Sequence, residues 1–226
     1  MNGKKEIKKI LSYFLGKLII KIKSLKKSLI LPLLIRYTNL IPVKRVCLCC
    51  GFQKIPGYVG IDIISDADII IDLSKRNLPF KTNSIESLVC ISAINYFKYM
   101  RAQELVEETY RILKPLGVAR FAVQDLESIT RRYLEKDKDF FFQKLPSGRD
   151  RFEGQTLGDK YVAWFYGYSA SGYPCQYFYD YESLSYLFEK VGFSKIENRS
   201  YKKSALNHID QIDNRPGQMF FLEAIK

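Results

Sequence analysis

Gly51, Asp62 and Asp72 are the residues of this chain whose types and spacing suit chemistry on a nucleoside. A glycine lets backbone approach a ligand closely, and a carboxylate at the end of the following strand accepts ribose hydroxyls. Three short apolar runs must position them. Val46-Cys47-Leu48-Cys49 reads as a strand that breaks into Cys50-Gly51, Tyr58 to Ile63 as a second strand carrying Asp62, and Asp68 to Ile71 as a third ending at Asp72-Leu73.

The rest of the chain alternates strand and helix. Leu78-Pro79-Phe80 and a polar turn lead to a fourth strand, Ile85 to Ile91. Arg101 to Leu113 reads as a helix with Ala102, Leu105, Val106, Thr109, Ile112 and Leu113 on one face, stopped by Pro115 and Gly117. A fifth strand, Val118 to Val123, precedes Asp125 and a helix through about Glu135. Residues 137–178 show no clear period and are rich in aromatics and glycine, which reads as an insertion available for acceptor binding. Asp180 is placed to cap a helix that buries Leu184, Leu187, Phe188 and Val191 and ends at Gly192. Strands near Ser194 to Asn198 and Met219 to Ile225 close the order. The pattern predicts an α/β fold, a Rossmann-like, mostly parallel sheet with helices on both faces.

Charge divides the chain in two. Of the net +12, residues 1–45 carry +11, while the remaining 181 residues are nearly neutral at +1. A nucleic-acid footprint spread over a folded face is therefore not expected. From Ile7 to Leu33, Ile7, Leu11, Phe14, Leu18, Ile22, Leu25, Leu29 and Leu33 recur at three- and four-residue steps among lysines. That is a basic amphipathic helix, assigned to residues 1–42 as an extension ahead of a domain at 43–226. Lys17, Lys21, Lys23, Lys26 and Lys27 break any run long enough to span a bilayer, and no signal-peptide cleavage pattern follows. Residues 1–35 suit either an anionic membrane surface, such as the inner face of a cytoplasmic membrane, or packing against the domain.

The five cysteines make no disulfide framework and suggest a reducing cytoplasm. Cys47, Cys49 and Cys50 have no histidine nearby, so no metal site is expected. His208, the sole histidine, lies in a polar stretch and is expected at the surface. Trp164, Phe165, Tyr166, Tyr168, Tyr173 and Tyr177 suit a sugar-binding cleft or an aromatic core under the insertion.

Leu48-Cys49-Cys50-Gly51, Pro56-Gly57-Tyr58, Ile61-Asp62, Asp72-Leu73 with Leu78-Pro79-Phe80, Tyr110 to Pro115, and Asp125-Leu126-Glu127 follow one another in a set order, and Tyr179 to Leu184 through Gly192-Phe193 completes it. In that order the chain resembles the class I S-adenosylmethionine-dependent methyltransferases, over about four fifths of its length, and within them a branch common in bacterial cell-surface polysaccharide gene clusters. The resemblance implies a seven-stranded sheet whose last strand is antiparallel. It implies S-adenosylmethionine as cofactor, held by Cys49, Cys50, Gly51, Asp62, Asp72, Leu73 and Ser92, with Asp62 on the ribose diol and Asp72 on the adenine amine. The acceptor is then a small molecule or glycan, with Asp125 either the cap of its helix or a catalytic group facing that acceptor.

The departures from the family pattern are specific. Cys49 stands at the first glycine of the turn, Leu116 at a glycine of the usual Lys-Pro-Gly-Gly, Ser92-Ala93-Ile94-Asn95-Tyr96 where relatives commonly show His-Val-Leu-Glu-His, and Cys175 at a frequent histidine. They keep a second reading open: a non-catalytic methyltransferase-fold binding or scaffolding protein docked through its N-terminal helix.

Overall fold

The computed structural model describes residues 43–166, 169–170 and 173–226. The basic extension over residues 1–42, and Tyr168 of the aromatic set, lie outside the described residues.

Strands β1 (Arg45–Leu48), β2 (Val59–Asp62), β3 (Ile69–Ile70), β4 (Ile85–Ile91), β5 (Leu113–Gln124), β8 (Lys195–Arg199) and β9 (Met219–Ile225) form one sheet in the order β3-β2-β1-β4-β5-β9-β8. The pairings from β3 through β5 are parallel. β9 runs antiparallel to both of its neighbours, as the resemblance implied for the last strand. A small hairpin, β6 (Ser169–Ala170) with β7 (Tyr173–Pro174), stands apart from the sheet. The expected elements recur with ends moved by a few residues. The first strand stops at Leu48, so Cys49 and Cys50 belong to the turn.

Side-chain alternation along the strands gives the sheet two dissimilar faces. Val46, Leu48, Leu88, Cys90, Phe121, Val123, Phe220 and Leu222 point to one face. There they pack on α1 (Tyr99–Ile112) through Ala102, Leu105 and Val106, and on α5 (Tyr181–Val191) through Leu184, Leu187 and Phe188. Cys47, Val89, Ile91, Ala122, Met219 and Phe221 point to the other. Helices were expected on both faces, but among the described residues this second face is covered by irregular chain. Ile55 and Tyr58 come from the β1–β2 connection, and Tyr201, Leu206, Ile209 and Ile212 from the β8–β9 connection. Gly60 has no room for a side chain, because a Cβ there would lie 2.6 Å from Cys50 Sγ, and this close approach seats the β1–β2 loop on the sheet.

α5 carries the expected ends. Asp180 Oδ1 accepts from Ser183 N at 2.8 Å and Ser183 Oγ accepts from Asp180 N at 3.1 Å, a reciprocal cap, and Gly192 closes the helix at φ 105°. The insertion is more ordered than its lack of period suggested. α2 (Leu126–Leu134), α3 (Lys138–Phe141) and α4 (Leu157–Tyr166) enclose a separate apolar cluster of Ile129, Phe140, Phe141, Phe152 and Trp164.

Candidate functional site

The strand order reverses at β1, which has β2 on one side and β4 on the other. In open α/β sheets this is where a crevice forms outside the carboxyl ends of the strands. A cavity of about 370 Å³ lies there, walled by the turn after β1 (Cys49 to Gln53), the ends of β2 and β3 (Asp62, Ile63, Ile71 to Ser74), the end of β4 (Ile91 to Ala93, with Tyr96 and Phe97) and Asn214 and Arg215. The seven residues assigned to the cofactor from the sequence, Cys49, Cys50, Gly51, Asp62, Asp72, Leu73 and Ser92, all line it.

Asp62 ties the first two strands together at the cavity floor. Its Oδ2 accepts from Gly51 N at 2.9 Å, and its Oδ1 from Ile63 N at 2.6 Å and Ile64 N at 3.4 Å. A carboxylate offers about four lone-pair sites, so Oδ2 keeps one for a further donor. Gly51, at φ 54°, is open on the side a Cβ would occupy, with nothing within 4 Å. Asp72 is engaged by Ser74 N at 3.0 Å, Ser74 Oγ at 2.5 Å and Lys75 Nζ at 2.7 Å. Burial alone would raise its pKa, but the bonds from Lys75 and Ser74 outweigh burial and hold the carboxyl below the usual range. α1 fixes the segment behind it: Arg101 Nε donates to Leu73 O at 2.7 Å, and Arg111 Nη1 and Nη2 donate to Phe80 O and Leu78 O at 2.8 and 3.1 Å. The Leu-Pro-Phe and Tyr-Arg-Ile-Leu runs are thus two halves of one clamp that shapes the cavity wall from behind.

The turn residue in the place of glycine is accommodated at a conformational cost. Cys49 sits at φ 50°, a left-handed backbone that disfavours an L side chain by about 1–2 kcal/mol. Leu116, the other departure from glycine, sits at φ 64° with its side chain exposed. Burial pushes the thiols around the turn up, Cys50 to about 11 and Cys90 to about 12, with Cys47 and Cys49 also well above their ordinary value. None of them is a thiolate at neutral pH, the form that attacks or binds metal.

Other sequence candidates fall elsewhere. Asp125 caps α2, its Oδ1 accepting from Ser128 N at 3.1 Å, and does not line the cavity; burial raises its pKa above the ordinary carboxylate value. His208 is exposed. Trp164 is buried in the insertion's cluster, Tyr166 points to solvent, and neither Trp164, Phe165, Tyr166 nor Tyr177 lines the cavity.

Among the lining residues missed from the sequence, Asn214 and Arg215 come from the most distant part of the chain. They arrive on the β8–β9 connection, whose place at the cavity is set by a long-range pairing. Arg120, fully buried on β5, pairs with Asp213 through Nη2–Oδ2 at 2.6 Å and Nε–Oδ1 at 3.2 Å, and lies 3.6 Å from Glu223. Arg120 Nη1 also donates to Lys203 O at 3.1 Å, and Asp213 Oδ2 accepts from Lys202 N at 2.8 Å. Gln53 Nε2 donates to Gln211 O at 2.8 Å, joining the turn after β1 to the same connection. The signal available in the sequence was an arginine at the centre of a strand that must be buried.

No family model matches this chain, and no curated protein matches it. Solved structures do. A S-adenosylmethionine-dependent methyltransferase from Thermotoga maritima is 18% identical, covering 86% of this chain and 92% of its own, at a TM-score of 0.44. One from Mesorhizobium loti is 16% identical over 86% and 96%, at 0.45, and one from Archaeoglobus fulgidus 15% identical over 95% and 99%, at 0.45.

Proposed function

We propose that the cavity holds S-adenosylmethionine and that the chain transfers its methyl group to a small-molecule or glycan acceptor, as in the surface-polysaccharide branch the sequence resembles. The observation that carries the reading is the hydrogen bond from Gly51 N to Asp62 Oδ2, which sets a bare glycine and a ribose-type carboxylate side by side at the reversal of strand order. The cavity is of the size that ligand sites have, about 300–1,000 Å³. The open face of Gly51 and the spare lone pair of Asp62 fit an amino-acid end and a diol. Asp72 and Leu73 bound the end assigned to adenine, and Ser92 the end nearest β4.

The cofactor supplies a methyl group on a sulfonium, so the chain's work is to bind, orient and exclude water. Asp62 orients the ribose while its backbone partners keep the carboxylate from rotating. Asp125, held as a helix cap away from the cavity, is assigned no proton transfer. Calorimetric titration tests the reading: S-adenosylmethionine and its demethylated product bind at micromolar concentration, and Asp62→Ala weakens binding by about 1.5–3 kcal/mol through loss of charge-assisted hydrogen bonds. No heat at millimolar ligand refutes it.

A second reading, a binding or scaffolding protein without turnover, is favoured by the left-handed Cys49 in the turn and by the lack of a histidine among the residues lining the cavity. Cofactor binding with no methyl transfer to any acceptor would support it. In either reading we further propose that residues 1–42, whose sequence has the pattern of a basic amphipathic helix, are an extension separate from the domain, and that residues 1–35 associate with anionic membranes. Among the described residues no helix is long and apolar enough to cross a membrane. Flotation with anionic vesicles, lost on deleting residues 1–35 and weakened by salt, tests this.

A further inference from the structure

Arg215 is the one basic side chain among the described residues that line the cavity, whose acids, Asp62 and Asp72, lie at the ends of β2 and β3. Its Nη1 donates to Ser92 Oγ at 3.0 Å, and Ser92 Oγ also accepts from Gln124 Nε2 at 2.8 Å, so the guanidinium sits over the ends of β4 and β5. Among the described residues no carboxylate pairs with it, and its remaining N–H donors have no protein partner. Beside it, Asn214 Oδ1 is buried without a hydrogen-bond partner.

The backbone is distorted to put it there. Arg215 has φ 52° and precedes Pro216, two conditions that together disfavour its conformation. The fully buried pair of Arg120 with Asp213, two residues earlier, holds the chain in place. The β1–β2 connection contains no helix, so the turn at Gly51 lacks the helix N-terminus that commonly receives an anion in such folds. The guanidinium is the positive element of this cavity.

We propose that Arg215 is an anion-recognition residue of the cavity, binding the carboxylate or phosphate of its ligand with Asn214 Oδ1 accepting from a neighbouring donor on the same molecule. The proposal rests on the methyltransferase reading only for which ligand brings the anion: the α-carboxylate of the cofactor, or an acidic group on the acceptor.

The experiment uses the full chain and Arg215→Gln, with Arg215→Lys as a second variant that keeps charge but not the fork. S-adenosylhomocysteine and methylthioadenosine, which lacks the α-carboxylate, are titrated by calorimetry, and inorganic phosphate is titrated into protein with and without S-adenosylhomocysteine while the arginine Nε–H resonances are followed. If the cofactor brings the anion, Arg215→Gln weakens S-adenosylhomocysteine at least tenfold and leaves methylthioadenosine within twofold. If the acceptor brings it, both nucleosides bind unchanged, and phosphate shifts one arginine resonance in the loaded protein that Arg215→Gln abolishes. Arg215→Lys gives an intermediate loss in whichever arm responds. Should neither nucleoside bind while phosphate still depends on Arg215, the methyltransferase reading falls and the anion site stands. Unchanged S-adenosylhomocysteine affinity together with phosphate shifts that survive Arg215→Gln overturns the proposal.

Discussion

Replacing Asp213 with Ala removes one partner of a pair in which both side chains are fully buried. Arg120 then keeps Glu223 at 3.6 Å and the carbonyls of Lys203 and Ser200, but loses its closest carboxylate. Lys202 N loses its acceptor as well. Breaking a buried pair from one side costs about 3–5 kcal/mol. The surviving Glu223 places the expected loss near the lower end, about 3 kcal/mol, a large share of the roughly 5–15 kcal/mol that holds a domain folded. Urea unfolding monitored through the tryptophan and by circular dichroism reads it. Arg120→Met combined with Asp213→Leu is expected to lose less than Asp213→Ala alone, because no buried guanidinium is left short of its carboxylate, while Glu223 keeps Arg199 Nε at 3.7 Å and Ser204 Oγ and Ala205 N as donors. A loss under about 1 kcal/mol for Asp213→Ala would mean that water reaches the pair, and that the β8–β9 connection is not anchored as described.

Two glycine substitutions test the left-handed positions against each other. Leu116→Gly frees an exposed residue at φ 64° and should raise stability by about 0.5 kcal/mol, strain relief exceeding added chain entropy. Cys49→Gly also gives up packing against the core, so its stability should stay within about 1 kcal/mol while nucleoside affinity rises; unchanged affinity would show that the thiol does not crowd the ligand. Asp180→Ala should cost about 1 kcal/mol at neutral pH by removing the cap of α5. The bonds from Ser183 Oγ and Ser183 N hold the Asp180 carboxyl below its ordinary range, so this stabilisation is present above the unfolded-state value, roughly pH 4, and is lost as pH falls through the lower folded value. The gap between wild type and Asp180→Ala in urea should therefore close only in acid.

What was legible in the sequence was local. The β4 and β9 boundaries followed from short apolar runs, and α5 from Asp180 and Gly192, whose capping chemistry acts within a few residues. The seven assigned lining residues were legible because turn and strand-end chemistry lies along one stretch of chain with β4 beside it. Arg215 was not, since its place depends on Asp213 meeting Arg120 93 residues away, and no periodicity records such a pairing. The insertion looked irregular because its helices are short and pack aromatic side chains on one another rather than on the sheet. Helices on the second face were expected from alternation alone, but among the described residues it is covered by the β1–β2 loop, seated by Gly60 and Cys50, and by the β8–β9 connection.

The bond from Gln53 to Gln211, and that from Arg215 to Ser92, make the cavity a meeting of segments more than 120 residues apart. A molecule that touches both sides can be held only while residues 200–218 are docked on the sheet. Occupancy therefore adds to the free energy of lifting that segment away, by about 2.7 kcal/mol at a ligand concentration one hundred times its dissociation constant. Amide exchange in the β8–β9 connection would then slow about a hundredfold on saturation wherever opening of that segment limits exchange, and protection there would serve as a gauge of occupancy for ligands whose identity is not known beforehand.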